Sequence, residues 1–377
     1  MKNHNISVLL LIYDMTEKGG GDRVAANLSN ELSRYFNVHL VSINGKGENP
    51  YFNVNSSVIY APLLKGHGRI RKTLLSGSRA LKKYITQNEI DVIMTIGGNV
   101  NFFMWYACRK ARIKKVFCEH INLLSALQSR SDTPMRIIGA KTADKIITLT
   151  EKDREKYIEH FKLSPDSVMS IANWLDDDLL AKSEGVNYDI NSKKLVTVGR
   201  LNPVKGFDYL VKVAKKVLTR HSDWSWDIWG DRDIWCDGEE YEQILQSIKD
   251  SGLEDRLLLK GTTDDMYSLY KQYAIYVMTS RFEGLPMVLL EAKSNCIPAV
   301  SFDCPTGPSE LITDGVDGFI IQDFDTEKMA EKICELIEDD KKRAEFSSHT
   351  KDNLHKYQKD SIVKQWVDLI DALTKER

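Results

Sequence analysis

The chain has 377 residues, 42% of them hydrophobic and 28% charged, with a formal net charge of −2. That length is enough to bury a sizeable core and suggests two or more domains, and the composition excludes a disordered or fibrous protein. The six cysteines, at 108, 118, 236, 296, 304 and 334, form no Cys-x-x-Cys pair and no Cys/His cluster, so a reduced cytosolic protein without structural zinc is expected.

The first apolar run, "ISVLLLIY", is eight residues long and has neither an extended charged n-region nor a small-residue cleavage site. It reads as a buried strand rather than a signal peptide, and no stretch approaches the roughly 18 apolar residues of a membrane span. The strand leads into "EKGGGDRVAANL" and the amphipathic segment "DRVAANLSNELSRYF". Backbone amides of Gly19, Gly20 and Gly21 can approach a phosphate or a sugar hydroxyl there; a flexible turn capping a helix is the other reading. The cluster is not a dinucleotide fingerprint, because from Gly19 the third glycine's place is held by Val24, and no Lys-Ser/Thr follows to make a P-loop.

Further strands are expected at "VHLVSI", "VIMTIG", "KVFCEH" and "KIITLT". The stretch "ANWLDDDLLAKSEGVNYDINSKK" then replaces the apolar rhythm with acidic and loop-forming residues, and the pattern starts again. Strands are expected at "KLVTVGR", "WDIWG", "LLLKGT", "IYVMTS", "AVSFD" and "GFIIQ", and helices at "GFDYLVKVAKKVLTRH" and "LPMVLLEAKSN". Alternating strands and helices argue for βαβ units and parallel sheets. Two such series imply two doubly wound, Rossmann-like α/β domains with a ligand cleft between them at the carboxyl ends of the strands. The boundaries are drawn at residues 1–172, 173–355 and 356–377, the last being a closing helix around "SIVKQWVDLIDAL" expected to pack back on the N-terminal domain.

Three later segments carry candidate chemistry. "VGRLNPVKGFDYL" places Arg200 and Lys205 in a loop between strand and helix, where a planar fork and a mobile point charge suit a diphosphate; a solvated basic loop is the plain reading. In "SRFEGLPMVLLEA", Glu283 stays in a loop, Pro286 fits the first position of a helix, and Glu291 falls in that helix's second turn. The two carboxylates therefore sit on different elements, and for Glu283 helix capping competes with function. "TGPSELITDGVDGFII" is a turn-rich loop with a helix start at Ser309-Glu310. Asp231-x-Asp233 in "WGDRDIW" has a spacing that can chelate a metal, but no other ligand cluster accompanies it.

Together these segments resemble the retaining nucleotide-sugar glycosyltransferases of GT-B architecture, glycosyltransferase family four. The matching pieces are "GGGDRV", "CEH", "VGRLNPVKGFDYL", "SRFEGLPMVLLEA" with its Glu-x7-Glu, and "GPSELITDGVDGF", in the family's order and over nearly the whole chain. The resemblance implies that Arg200 and Lys205 hold the donor diphosphate and stabilise the leaving nucleotide. It implies that Glu283 hydrogen-bonds the donor sugar, with Gly284, Leu285 and Pro286 near sugar and β-phosphate, and that Glu291 binds the ribose. His120 would lie beside the reacting sugar, Gly230 and Gly261 would belong to the donor site, and Gly19, Gly20, Gly21 and Asp22 to the loop over phosphates and acceptor. Asp22 departs from the family, which has Glu there after Ala in place of Gly21.

No metal and no cofactor is implied. The resemblance points to transfer of a hexose or N-acetylhexosamine, from a uridine-linked donor by family frequency, to a lipid-linked saccharide of a surface polysaccharide. Front-face attack with retention is the expected mechanism; double displacement through Glu283 is the rival. A sugar-nucleotide epimerase or phosphorylase on the same two-domain fold is the alternative function, and the missing fingerprint disfavours a dehydrogenase.

Residues 1–175 hold 25 Lys/Arg against 15 Asp/Glu, whereas the remainder holds 27 against 39. No acidic residue occurs from Pro50 to Asn88, which contains Lys65, Arg69, Arg71, Lys72, Arg79, Lys82 and Lys83; "RKARIKK" follows at 109–115. Such a surface suits an anionic membrane leaflet or a lipid-linked diphosphate, at about 1 kcal/mol per basic residue; ordinary solvated helices are the plain reading. Nucleic acid is not expected, since aromatics are not interleaved with the basic residues. The expected location is the cytoplasm, peripheral to the inner face of the plasma membrane.

Overall fold

The computed structural model describes residues 6–16, 19–45, 49–66, 70–128, 133–183, 185–230 and 239–375. The chain divides into two compact units, one made of Met1–Asn173 with Asp360–Arg377, the other of Trp174–Lys359.

Unit 1 is built on a seven-stranded parallel sheet in the order β3-β2-β1-β4-β5-β6-β7. The strands are β1 (Ser7–Ile12), β2 (Asn37–Gly45), β3 (Val58–Lys65), β4 (Val92–Ile96), β5 (Lys114–Cys118), β6 (Lys145–Thr148) and β7 (Val168–Ser170). Its helices are α1 (Gly20–Leu32), α2 (Ile70–Gln87), α3 (Asn101–Cys108), α4 (Leu123–Gln128), α5 (Thr133–Thr142) and α6 (Glu151–Phe161). Strands covered on both faces read as continuous apolar runs, and Val8, Leu9, Leu10 and Leu11 of β1 are fully buried.

Unit 2 has α7 (Asp177–Ser183), β8 (Lys194–Val198), α8 (Phe207–Arg220), β9 (Ser225–Trp229), α9 (Glu239–Asp250), β10 (Leu257–Gly261), α10 (Met266–Tyr270), β11 (Ile275–Met278), α11 (Met287–Ser294), β12 (Ala299–Phe302), α12 (Pro308–Leu311), β13 (Gly318–Ile321), α13 (Thr326–Glu338) and α14 (Asp340–His349). The last helix, α15 (Lys359–Lys375), carries the chain into the segment assigned to unit 1. The parallel sheet of unit 2 runs β10-β9-β8-β11-β12-β13. On α8 the buried residues Phe207, Leu210, Val211, Ala214, Val217 and Leu218 recur at helical spacing, so one stripe enters the core beside Trp226 and Phe302.

Both sheets are doubly wound. In unit 2 the order reverses between β8 and β11, and at such a switch point the two following loops turn to opposite faces of the sheet and leave a crevice at its carboxyl edge. The loops after β8 and β11 are those that carry Lys205 and Glu283.

Candidate active site

In the first of these loops Asn202 caps a single helical turn, Pro203–Lys205, by accepting from the Lys205 amide at 3.3 Å. Gly206 follows at φ 66°, and a Cβ there would lie 2.2 Å from the Thr279 carbonyl, so only glycine lets this loop press on the end of β11. Thr279 completes the contact, its hydroxyl donating to the Lys205 carbonyl at 3.0 Å. The result is a Lys205 Nζ to Glu283 Oε1 ion pair of 2.7 Å at the switch point, with the lysine side chain 24% exposed and the carboxylate 10%.

The Glu283 backbone is fixed from the β12 side. The Thr306 hydroxyl donates to its carbonyl at 2.5 Å. Gly307 sits at φ +100°, where a Cβ would stand 2.8 Å from the Gly284 carbonyl. Burial, reinforced by the Glu283 charge, pushes the nearby Cys304 thiol up to about 12, so it stays protonated at neutral pH. Leu285 and Pro286 are buried, and α11 begins at Met287 with Pro286 as its N-cap, one residue later than the sequence suggests. The Pro286 carbonyl already accepts from the Leu289 amide at 3.0 Å, which is what an N-cap does.

Glu291 lies in the second turn of α11, held by tyrosines from α10. The Tyr270 hydroxyl donates to its Oε2 at 3.2 Å and that of Tyr267 to Oε1 at 3.5 Å. Burial, with the Glu291 charge adding to it, raises the Tyr270 phenol well above its ordinary value, so it remains a donor. Arg200 is exposed at the end of β8. The Gly199 amide donates to the Trp229 carbonyl at 2.9 Å and the Gly230 amide to the Gly261 carbonyl at 2.8 Å, so the ends of β8, β9 and β10 form one continuous edge. Asp231 and Asp233 lie outside the described residues.

In unit 1, α1 starts after Gly19 with no side-chain cap, Gly20 is exposed, and Asp22 stands in the first turn. A Cβ on Gly20 or Gly21 would meet nothing within 4 Å, so alanine at position 21 would follow the same backbone path. His120 follows β5. Although the residue is only partly buried, both ring nitrogens are shielded and have no partner among the described residues, and burial lowers its pKa to about 4. The imidazole is therefore neutral. Beneath it lies Glu119, which sequence reasoning passed over. Its Oε1 accepts the amides of His120 and Ile121 at 3.0 and 3.3 Å, and its Oε2 accepts Arg136 Nε at 2.6 Å and the Tyr157 hydroxyl at 2.9 Å.

The basic stretch forms α2, whose exposed face carries Arg71, Lys72, Leu75, Arg79, Lys82 and Lys83; Arg69 lies outside the described residues. Against α2 packs α3, where Phe103 is buried on Gly77 and the outer face holds the partly exposed Phe102, Trp105 and Tyr106, with Arg109 4.1 Å over the Tyr106 ring. Phe102, Trp105 and Tyr106, outside the basic stretch in sequence, thus adjoin it in space, since α3 packs on α2. Among the described residues no helix is long and apolar enough to cross a membrane.

Residues 18–179 match the model of Glycosyltransferase Family 4, and residues 182–353 that of Glycosyl transferases group 1. The chain is 30% identical to the amylovoran biosynthesis glycosyltransferase AmsD of Erwinia amylovora, over 97% of this chain and 99% of that one. This chain is a family-four glycosyltransferase. It is also 23% identical, over 94% of its length and 96% of the relative's, to the N-acetylgalactosamine-N,N'-diacetylbacillosaminyl-diphospho-undecaprenol 4-alpha-N-acetylgalactosaminyltransferase of Campylobacter jejuni. Among solved structures, Anabaena HepE in complex with UDP and glucose superposes with a TM-score of 0.78 at 18% identity, covering 97% of this chain and 99% of that one. The fold of the glycosyltransferase is thus GT-B, with two Rossmann-like units as the sequence suggested.

Within each unit the structure gathers the sequence-derived residues at the carboxyl edge: Arg200, Lys205, Gly230, Gly261, Glu283 and Gly284 in unit 2, and His120 with the Gly19 to Asp22 turn in unit 1. The supporting residues Thr279, Thr306, Tyr267, Tyr270, Glu119, Arg136 and Tyr157 were not singled out. Their partners lie up to 74 positions away, a separation that local periodicity does not reveal.

Proposed function

We propose that this glycosyltransferase moves a hexose or N-acetylhexosamine from a uridine diphosphate sugar to a lipid-linked saccharide during synthesis of a surface polysaccharide, with retention of configuration and without a metal ion. The observation that carries the donor reading is the Lys205–Glu283 pair at the switch point of unit 2, with exposed Arg200 at the same strand end. In this reading residues 173–355 form the donor domain and 1–172 the acceptor domain, with 356–377 as a closing helix.

Arg200 and Lys205 take the diphosphate, aided by the Gly284 and Leu285 amides and the start of α11. Glu283 accepts hydroxyls of the sugar, and Glu291, preset by its two tyrosines, accepts those of the ribose. Gly230 and Gly261 border the base. His120, a neutral hydrogen-bonding group, stands by the reacting sugar, and Gly19, Gly20, Gly21 and Asp22 form the loop at the phosphate and acceptor. The acceptor hydroxyl oxygen attacks C1 from the face on which the C1–O bond to the β-phosphate breaks, and its proton passes to the departing phosphate oxygen. The protein's task is then stabilisation of the charge growing on that phosphate, worth a few kcal/mol per well-placed cation. Double displacement is disfavoured because Glu291, the other carboxylate of the motif, lies in the second turn of α11 and is engaged by Tyr267 and Tyr270.

The test is a panel of nucleotide sugars followed by thermal shift and by slow hydrolysis without acceptor. A uridine diphosphate sugar that both stabilises and is hydrolysed, with both effects lost in Lys205→Ala, supports the reading. A trapped glycosyl-Glu283 adduct overturns front-face attack. The α2 and α3 surface, basic with an aromatic ridge, supports docking on an anionic bilayer at the cytoplasmic face. Sedimentation with phosphatidylglycerol vesicles, abolished by charge reversal at Arg71, Lys72 and Arg79, is the expected result; no sedimentation of the wild type removes that part.

A further inference from the structure

The ion pair Lys205–Glu283 joins side chains 78 positions apart, on loops that leave opposite sides of a switch point. Something must set the distance between those loops, and one residue makes most of the connections. The Arg281 amide donates to the Val204 carbonyl at 2.8 Å, its Nη1 donates to the Pro203 carbonyl at 2.8 Å, and its Nη2 bonds Asp208 Oδ2 at 2.7 Å in the first turn of α8. Its guanidinium lies 4.3 Å over the Tyr209 ring, which in turn stacks on Phe324 and meets Phe302 edge-on. These contacts fall on both sides of Lys205, at 203 and 204 before it and 208 and 209 after it. Arg281 itself stands two residues before Glu283. It does not touch the ion pair.

We infer that Arg281 is a positioning residue, a clamp that sets the spacing of the Lys205 and Glu283 loops. Two magnitudes separate this from an ordinary surface ion pair. The Arg281 and Asp208 side chains are 30% and 47% exposed, and pairs that exposed contribute little to stability. A displacement of about 1 Å at reacting groups, by contrast, can cost a hundredfold in rate. The role also requires arginine. Only a planar fork reaches the Pro203 carbonyl with one nitrogen and the Asp208 carboxylate with the other while lying flat on Tyr209; lysine supplies one point charge. Burial acts to raise the Asp208 carboxyl, yet its bond to Arg281 holds it below the usual carboxylate range, so the pair is charged at neutral pH.

The inference rests on the proposed roles of Lys205 and Glu283, so the experiment carries Lys205→Ala and Glu283→Ala alongside Arg281→Ala, Arg281→Lys, Asp208→Asn and the Arg281→Ala/Asp208→Asn double variant. Hydrolysis is followed with whichever of UDP-glucose, UDP-galactose, UDP-N-acetylglucosamine and UDP-N-acetylgalactosamine the wild type cleaves fastest, and UDP affinity is measured by calorimetry. Arg281→Ala is expected to lower kcat about thirtyfold, with UDP affinity changed less than about threefold and Tm nearly unchanged. Arg281→Lys should recover only a small part of that loss, Asp208→Asn should lose about threefold, and the double variant should be no worse than Arg281→Ala. Wild-type kcat in Arg281→Ala, while Lys205→Ala and Glu283→Ala are inactive, overturns the clamp and leaves the site reading standing. A fall in Tm that parallels the fall in kcat, with both restored by lysine, makes Arg281 a structural residue and also overturns it. Full activity in Lys205→Ala or Glu283→Ala sinks the site reading and the clamp together.

Discussion

Two glutamates, one in each unit, hold a basic side chain at the carboxyl end of a parallel strand, and they differ in what is left over. Glu119 and Arg136 are 0% and 3% exposed, and the carboxylate accepts four hydrogen bonds, two on each oxygen. Its acceptor capacity is used by the protein itself. Glu283 and Lys205 are 10% and 24% exposed, and each opens on solvent at a switch point. A closed pair pins a fold; an open pair of similar geometry can exchange a protein partner for a ligand. Both pairs join a carboxylate to a basic side chain, at 2.6 and 2.7 Å, and besides the change from arginine to lysine it is burial and saturation that separate scaffold from site.

The comparison breaks most visibly if Glu119 is removed. Glu119→Ala leaves a guanidinium deep in unit 1 without its carboxylate, and loss of one partner of a buried pair costs about 3–5 kcal/mol. Urea unfolding should show that loss as a fall in midpoint at constant slope. Glu119→Ala within about 1 kcal/mol of wild type would mean that water or a neighbouring group replaces the carboxylate, and the closed pair would not be closed.

Glu283→Ala is the opposite experiment. Its expected cost is in catalysis, about 10²–10³-fold in kcat, of the size seen when a single group that stabilises the transition state is deleted. Stability should move by less than about 1 kcal/mol, because Lys205 can be hydrated once its partner is gone. If Glu283→Ala instead loses stability as Glu119→Ala does, with kcat per folded molecule intact, the open pair is structural too. A smaller effect is expected one helical turn into α11. Glu291→Ala should raise the donor KM about tenfold and leave kcat within about twofold, the signature of lost uniform binding; an unchanged KM would remove the ribose role.

How much of this was legible in the sequence follows the same line between local and distant. Eleven of the thirteen strands were expected from apolar runs, and the two missed, β3 and β7, are the two edges of the unit 1 sheet. β3 is apolar along most of its length but carries Pro62, which argues against an interior strand, and its burial is interrupted as befits an edge, whereas β7 is only three residues long. The amphipathic segment after the glycine cluster reads as helical to Phe36, but α1 ends at Leu32 in turns that lead straight to β2. Lys205, Glu283 and Glu291 were legible because each lies inside a motif whose order along the chain is informative. The Glu119 cluster was not. Arg136 and Tyr157 are 17 and 38 positions from Glu119, on helices whose faces local periodicity cannot aim, and "CEH" drew attention to its histidine rather than to the acid beside it.

That histidine supplies the finest test of the difference between the two pairs. An imidazole next to an uncommitted carboxylate would be drawn toward its charged form. Glu119 does raise the His120 pKa, but burial outweighs it and the value falls to about 4. In the unfolded chain His120 regains the ordinary histidine value near 6.5, so as pH falls below that value the unfolded state takes up a proton that the folded state refuses. The contribution to stability is full above pH 6.5, declines below it, and levels off only under the folded pKa. Between pH 7 and pH 5.5 this amounts to about 1 kcal/mol from the linkage relation. Buried His39, whose pKa is also lowered by burial, contributes in the same direction. The measurement is therefore a difference: urea midpoints at the two pH values for wild type and for His120→Asn. Wild type should lose about 1 kcal/mol more than the variant over that interval. An equal loss would mean that His120 protonates in the folded state as readily as in the unfolded one, and that Glu119, for all its bonds, still has charge to lend.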